Sequence, residues 1–270
     1  MTRFAAIAAI VLTAATASKV LAEDILPPGP LAQSPVSFIA CPVYRDTNNG
    51  RKSGCWLATD MATGVRYDIG GGRTKPQSGR DVLVEGVLGE GANACGGEIL
   101  LPVHVSVLQT TCSAVMLPAE GYPGRVFQVP KNGYLPPADV VRPLPPGPYT
   151  SRDWHIEFNF QSDFLAYQYS EVILDDAARY IRASRPRHVE VTGYADTSPY
   201  VISGRQLIEP RSLGEQRAKM VAEALLRLGV DPGLLHVNWH VDPAAINADD
   251  GMAEPSKRRV TIHIEIWTGE

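Results

Sequence analysis

Residues 212–228, SLGEQRAKMVAEALLRL, decide the fold of the C-terminal half of this chain. At about 100° per residue, the apolar side chains fall within an arc of roughly 140°, which predicts an amphipathic helix packed on a core. A Ser-x-x-Glu capping box at Ser212 and a helix-stop residue, Gly229, predict its two ends. Arg217 lies near the middle of the apolar arc. Because a guanidinium on a buried helix face needs a partner, Arg217 is the first candidate for a functional side chain.

Strand and helix patterns alternate on both sides of this helix. Alternation with a period of two predicts strands, and an apolar stripe with a period of 3.6 predicts a further helix. In chain order the predicted elements span about residues 155–160, 167–184, 189–193, 212–228, 235–241 and 260–266. The order β-α-β-α-β-β implies one sheet with both helices packed on one face, which is an α+β sandwich.

Asp196 follows the second predicted strand, and Arg217 lies in the second turn of the next helix. Both side chains are therefore expected at one rim of the sheet. Arg binds a carboxylate through a two-pronged fork and Asp accepts from an ammonium, so the pair matches a ligand carrying both charges on one carbon. The adjacent helix start adds N–H donors for an anion. The alternative is a structural salt bridge.

Three segments, in this order, resemble signatures of the OmpA-like family: Gly193-Tyr-Ala-Asp-Thr-Ser198, Leu213-Gly-Glu-Gln-Arg-Ala-Lys-Met-Val221 with Leu225, and Lys257-Arg-Arg-Val260. The resemblance covers about residues 152–268. It implies a domain that binds peptidoglycan non-covalently. By resemblance, Asp196 and Arg217 hold the free amino-acid end of meso-diaminopimelate in the stem peptide.

The same resemblance adds Thr197, Gly214 and Arg258 to the expected diaminopimelate site, Gly214 through its backbone N–H. Because Arg258 and Arg259 point in opposite directions along a strand, at most one of them should face the site. The sequence also departs from the family pattern. Pro210, Gly214 and Lys257 replace the usual Asn, Ser and Asn, and the loop between Asp196 and Arg217 is several residues longer.

The N-terminus predicts export. Arg3 precedes an apolar run over 4–17, and short residues end at Ala22, so residues 1–22 are expected to be a signal peptide. The run is shorter than the roughly 20 apolar residues of a membrane span, and an uncleaved anchor is the alternative. The expected location is the periplasm, with peripheral association to the outer membrane as a further option.

Proline density sets the other boundaries. We expect a Pro-rich leader at 23–34, a β domain at 35–133, a Pro-rich linker at 134–150 and the OmpA-like domain at 151–270, because such stretches exclude helices and central strands. Gly- and Asp-rich turns between short apolar runs predict that residues 35–133 form mostly β-strands. An OB-like barrel is one alternative for their fold.

The four cysteines, Cys41, Cys55, Cys95 and Cys112, all precede the linker. Export predicts two disulfides, for which three pairings exist. Local pairing favours Cys41–Cys55 with Cys95–Cys112, because it closes small loops. A zinc site is the competing interpretation, although the chain has no Cys-x-x-Cys pair.

Composition narrows the function classes. The formal net charge is −4, with no long run of one sign, so no nucleic-acid partner is expected. No catalytic motif is present, and no cofactor or metal is expected. The sequence therefore predicts a non-catalytic envelope protein that binds peptidoglycan and tethers its N-terminal domain to the cell wall. An outer-membrane or envelope protein is the expected partner of that domain. The alternative is an envelope enzyme or ligand-binding β domain targeted there.

Overall fold

The computed structural model describes residues 35–48, 54–91, 93–119, 121–125, 135, 140, 142–248 and 250–266. The expected signal peptide and leader lie outside these ranges. The elements in chain order are β1 (Val36–Ala40), β2 (Val43–Arg45), β3 (Cys55–Thr59), β4 (Arg66–Asp68), β5 (Arg80–Leu88), β6 (Glu98–Thr111), β7 (Met116–Leu117), β8 (Arg152–Glu157), α1 (Tyr169–Ser184), β9 (Val189–Ala195), β10 (Tyr200–Ile202), β11 (Arg205–Leu207), α2 (Ser212–Arg227), a 3₁₀ turn (Pro232–Leu234), β12 (Leu235–Val241), α3 (Ala253–Ser256) and β13 (Arg259–Ile264).

The N-terminal half is a seven-stranded sheet in the order β1-β5-β6-β4-β3-β2-β7. Successive residues of β5 face opposite sides, as strand geometry requires. Val82 and Val84 pack into one core cluster, while Leu83 packs into another. The mostly-β prediction is confirmed. Among the strands that the structure describes, β1 and β7 are the two outer strands of the sheet and do not pair with each other, so the sheet does not close into an OB-type barrel.

Two disulfides are present, but the favoured pairing was wrong. Cys41 bonds to Cys112, with Cα atoms 5.8 Å apart, and Cys55 bonds to Cys95, with Cα atoms 6.1 Å apart. The reason is sheet topology. Strands β1 and β6 are both antiparallel to the strand β5 between them, so they run parallel to each other and their C-terminal ends lie on the same side. Cys41 directly follows β1, and Cys112 directly follows β6. Loop length, the criterion used on the sequence, does not contain this information.

The C-terminal half has a four-stranded sheet in the order β12-β9-β13-β8. Both long helices pack with its inward residues in one hydrophobic cluster, which includes Val191, Ile262, Ile181 and Leu225. The α+β sandwich predicted from the sequence is confirmed. The predicted capping box at Ser212 is not formed, because Arg211 occupies the N-cap position and Ser212 is already helical.

Helix α2 lies unusually close to β9. A Cβ added to Gly193 would lie 2.0 Å from the carbonyl oxygen of Gly214, and a Cβ on Gly214 would lie 3.2 Å from that of Gly193. A side chain at Gly193 is incompatible with this backbone approach, whereas one at Gly214 would be tight. It brings the second turn of α2 against the end of β9, which is where Arg217 and Asp196 lie.

The two halves pack together within one compact unit over 33–270. Buried residues from both contribute to one hydrophobic cluster, among them Ile39 and Leu83 from the first half and Phe160 and Leu207 from the second. The amide N–H of Phe160 also donates to the hydroxyl of Ser106 at 2.8 Å. The described end of the proline-rich stretch lies on α1, where Tyr149 packs against Tyr180.

A buried ion pair crosses between the halves. Arg258, just before β13, donates to Glu85 of β5 at 2.5 Å, and both side chains are 1% exposed. Burial disfavours the Arg258 cation, but the Glu85 carboxylate outweighs that effect and raises the pKa of Arg258 above its ordinary value. This pair ties the start of β13 to β5, the second strand of the first sheet.

Candidate functional site

Arg217 is fully buried on α2 and uses every donor that it has. Its Nε donates to the carbonyl of Ser162 at 2.8 Å, and its two terminal nitrogens donate to the carbonyls of Tyr194 at 2.8 Å and Asn159 at 3.2 Å. The two remaining N–H groups form a fork on the carboxylate of Glu209, at 2.9 and 2.6 Å. A guanidinium has five N–H donors. The hydrogen bonds of Arg217 are therefore saturated from within the chain.

The Glu209 carboxylate lies in a receptor built from both side-chain and backbone donors. Besides the Arg217 fork, one oxygen accepts from the N–H of Gln161 at 2.8 Å and the other from the N–H of Asp196 at 3.1 Å. Neither side chain of the ion pair is exposed. Four converging donors, two of them on a cation, form a site suited to one carboxylate group.

Glu209 reaches this receptor from a hairpin. The long loop between Asp196 and Arg217 forms strands β10 and β11, which pair through a tight turn at Ser203 and Gly204, both with positive φ. The chain then returns to β9, where the N–H of Glu209 donates to the carbonyl of Asp196 at 3.2 Å. The hairpin and the segment after it therefore deliver an acidic side chain to Arg217.

Asp196 lies beside the receptor but turns its own carboxylate to other partners. One oxygen accepts from the N–H of Ser198 at 3.3 Å, and the other lies 3.8 Å from the Nζ of Lys257. The side chain is almost fully buried. Burial raises the pKa of Asp196, although the Lys257 charge and the Ser198 N–H oppose the rise. The backbone N–H of Asp196 and the guanidinium of Arg217 therefore bind the same Glu209 carboxylate, whereas the Asp196 carboxylate has other partners.

The family comparison covers the segment that contains this receptor. The model described as OmpA family matches residues 157–259, which contain Asp196, Glu209, Arg217 and Lys257. The C-terminal half carries an OmpA-like domain. The family resemblance predicted from three short motifs is confirmed. No curated protein matches the chain.

Solved structures similar to this chain come from several bacteria. The periplasmic domain of Helicobacter pylori MotB has 22% identity and a TM-score of 0.34, covering 43% of this chain and 75% of that one. The cell wall anchor of the Pseudomonas aeruginosa T6SS has 23% identity and a TM-score of 0.34, with 43% and 82% covered. The peptidoglycan-associated lipoprotein of Burkholderia pseudomallei has 24% identity and a TM-score of 0.31, with 40% and 86% covered.

The other three expected ligand residues of the OmpA-like domain have internal contacts. The N–H and hydroxyl of Thr197 both donate to the carboxylate of Asp242, the N–H at 2.6 Å. Gly214 is buried in the close contact with Gly193. Arg258 is paired with Glu85 and buried. The structure therefore brings Asp196 and Arg217 around one receptor and gives the other three residues partners of their own.

The sequence analysis did not identify Glu209 and Lys257 as contacts of the two expected ligand residues, Arg217 and Asp196. The sequence offered only a weak signal for Glu209, its place in the loop between Asp196 and Arg217. Lys257 was noted only as a departure from the family Asn. A Lys after a turn is ordinarily a solvated side chain, and its distance to Asp196 depends on the turn at α3.

A cluster of ligand-type side chains lies away from this receptor, between the two halves. His104 is 2.6 Å from Asp250 and 3.7 Å from Glu157. Arg73 donates to Glu157 at 2.6 Å and lies 3.6 Å from Asp250. The guanidinium already supplies the positive charge that these carboxylates need, so the cluster acts as an ion-pair network between the halves.

In the described ranges, no helix combines the length and apolar character needed to cross a bilayer.

The raised pKa of Asp196 makes a testable prediction for stability. A carboxyl whose pKa is higher in the folded protein contributes stability below its ordinary value of 3.8, and this contribution is lost as the pH rises through the raised value. Asp196→Asn removes that loss. The free energy of unfolding of the variant minus that of the parent, both measured in urea, should therefore grow as the pH rises from about 4 to 7.

Asp242→Asn is the matched control for this pH dependence. The Thr197 hydroxyl that donates to Asp242 lowers its pKa, so its contribution is present above 3.8 and is lost as the pH falls. Between about pH 4 and pH 7 the control should keep a constant difference from the parent, and that difference should shrink only as the pH falls below about 3.8. Parallel behaviour of the two variants would contradict the assignment.

Proposed function

We propose that this protein is a non-catalytic component of the cell envelope that binds peptidoglycan through its OmpA-like domain. The expected ligand group is the free amino-acid end of diaminopimelate in the stem peptide. The carboxylate of this group would lie on Arg217 and the ammonium on Asp196. The N-terminal β half would thereby be tethered to the wall, together with any envelope partner that it binds.

The observation that carries this proposal is the carboxylate receptor at Arg217. Its four donors come from α2, from the end of β9 and from the segment after β8, so the fold itself preorganises them. The side chain beside it is an acid, Asp196, which is the group that accepts from an ammonium. A carboxylate receptor next to a buried acid has the charge pattern of an amino-acid zwitterion.

Asp196 also lies close to a cation within the chain. The Lys257 ammonium lies 3.8 Å from its carboxylate, which supports the assignment of Asp196 to the positive end of the ligand. Export to the periplasm through a signal peptide at 1–22 would place this site where stem peptides occur.

Sedimentation with purified sacculi tests the proposal. The mature chain should sediment with them, and a stem peptide carrying unblocked diaminopimelate should compete. Asp196→Asn should weaken binding about 10- to 100-fold, since one hydrogen bond to a charged group contributes about 1.5–3 kcal/mol. Asp231→Asn makes the same charge change at the other end of α2 and should bind as the parent does. Equal binding by both variants would show that the ligand is held elsewhere.

A further inference from the structure

We propose that Glu209 is a tethered internal ligand. It occupies the carboxylate position of the receptor, and the β half holds it there, so an external carboxylate binds only by displacing it. The identity of that external carboxylate rests on the proposed function. The occupation of the receptor by Glu209 does not, because it follows from contacts within the chain.

The first step is the saturation of the receptor. Arg217 has no N–H left for another acceptor, and each oxygen of Glu209 accepts from one guanidinium nitrogen and one backbone N–H. A second carboxylate cannot enter beside the first, because two like charges on one buried cation would repel each other. Binding at Arg217 therefore requires Glu209 to leave.

The second step concerns the neighbouring acid. Lys257 lies 3.8 Å from Asp196 and 3.0 Å from Glu254. The chain thus presents a carboxylate to Arg217 and an ammonium to Asp196, the two charges that an amino-acid group would bring. Lys257 is a quarter exposed, so it can withdraw into solvent more readily than Glu209 can.

The third step is the anchoring of the hairpin on the β half. The hydroxyl of Ser203 accepts from the N–H of Ile39 at 3.0 Å. Arg205 donates to Asp81 at 2.8 Å and to the hydroxyl of Thr110 at 2.9 Å. Leu207, together with Tyr200 and Ile202 of β10, packs in the hydrophobic cluster shared by the two halves. The first half of the chain therefore fixes the position of Glu209 in the second.

Tethering makes Glu209 a strong competitor. A side chain held next to its receptor acts at an effective concentration in the mM range or above, without the cost of association. The apparent affinity for an external ligand falls by the fraction of molecules in which the receptor is open. Any event that loosens the hairpin from the β half would therefore increase binding without changing a receptor residue.

The first experiment uses acetate as the probe. The thermal unfolding of mature Glu209→Ala is measured in sodium acetate and in sodium chloride at equal ionic strength. Acetate should fill the vacated receptor and raise the Tm of this variant in a saturable manner. The parent and Glu223→Ala, which removes an exposed glutamate of α2, should show no acetate-specific change. If Glu209→Ala folds only with acetate, the refolded yield in the two salts gives the same comparison.

The second experiment measures binding of a stem peptide with unblocked diaminopimelate by calorimetry. Glu209→Ala should bind it at least tenfold more tightly than the parent does. Arg205→Ala, which keeps Glu209 but loosens the hairpin, should also gain affinity, whereas Arg66→Ala on β4 should not. Equal affinity of the parent and Glu209→Ala, or no response of Glu209→Ala to acetate, would overturn the inference. An acetate response without any peptide binding would leave Glu209 as the tethered occupant and remove the proposed function instead.

Discussion

Arg217→Met is expected to lower the free energy of unfolding by about 3–5 kcal/mol, because removing one partner of a buried ion pair leaves the other charge uncompensated. Glu209 would keep only its two backbone donors, and the carbonyls of Ser162, Tyr194 and Asn159 would lose theirs. Urea unfolding of the mature chain measures the loss. Arg217→Lys should recover little of it, since an ammonium has three donors and cannot reproduce the fork.

Lys219→Met is the matched control for this stability change. Lys219 lies on the same helix and pairs with Glu215, but its side chain is 61% exposed. Exposed pairs contribute between 0 and about 1 kcal/mol. A cost for Arg217→Met as small as that of the control would show that water reaches the receptor and that Glu209 leaves it readily. That outcome would also weaken the case for a closed site.

Glu85→Leu is expected to have an effect of similar size, about 3–5 kcal/mol, because it leaves Arg258 buried without its counterion. The double variant Glu85→Leu with Arg258→Met should recover most of the loss, since an apolar pair of similar volume needs no compensation. A double-mutant cycle in urea measures this coupling. The Glu223–Arg227 pair, whose side chains are 64% and 66% exposed, should give a coupling of at most about 0.5 kcal/mol. A cycle for Glu85 and Arg258 that closes without coupling would contradict the interpretation.

The sequence predicted the C-terminal fold well because its signals are periodic. The stripe around Arg217 required that a guanidinium be buried, and the structure buries it fully. The partner could not be found in the same way. Glu209 lies in an irregular segment eight residues earlier, and only the pairing of β10 with β11 and the contact of that hairpin with the β half determine where its side chain points.

The N-terminal half was harder to predict for a related reason. Individual strands such as β5 and β6 have clear apolar patterns, but their order in the sheet does not follow their order in the chain. The disulfide pairing depends on that order, which places Cys41 next to Cys112 across an intervening strand. Long-range pairings of this kind leave no local pattern in the residues.

The Glu85–Arg258 pair has a consequence for how this architecture can be rebuilt. OmpA-like domains look like interchangeable modules, but here the acid belongs to one half and the base to the other. Grafting a different OmpA-like domain onto the β half would strand Glu85 in an apolar interface unless the graft brought its own arginine to that position. Recombination at the proline-rich stretch is therefore constrained by charge, and the two halves are expected to exchange only as a matched set.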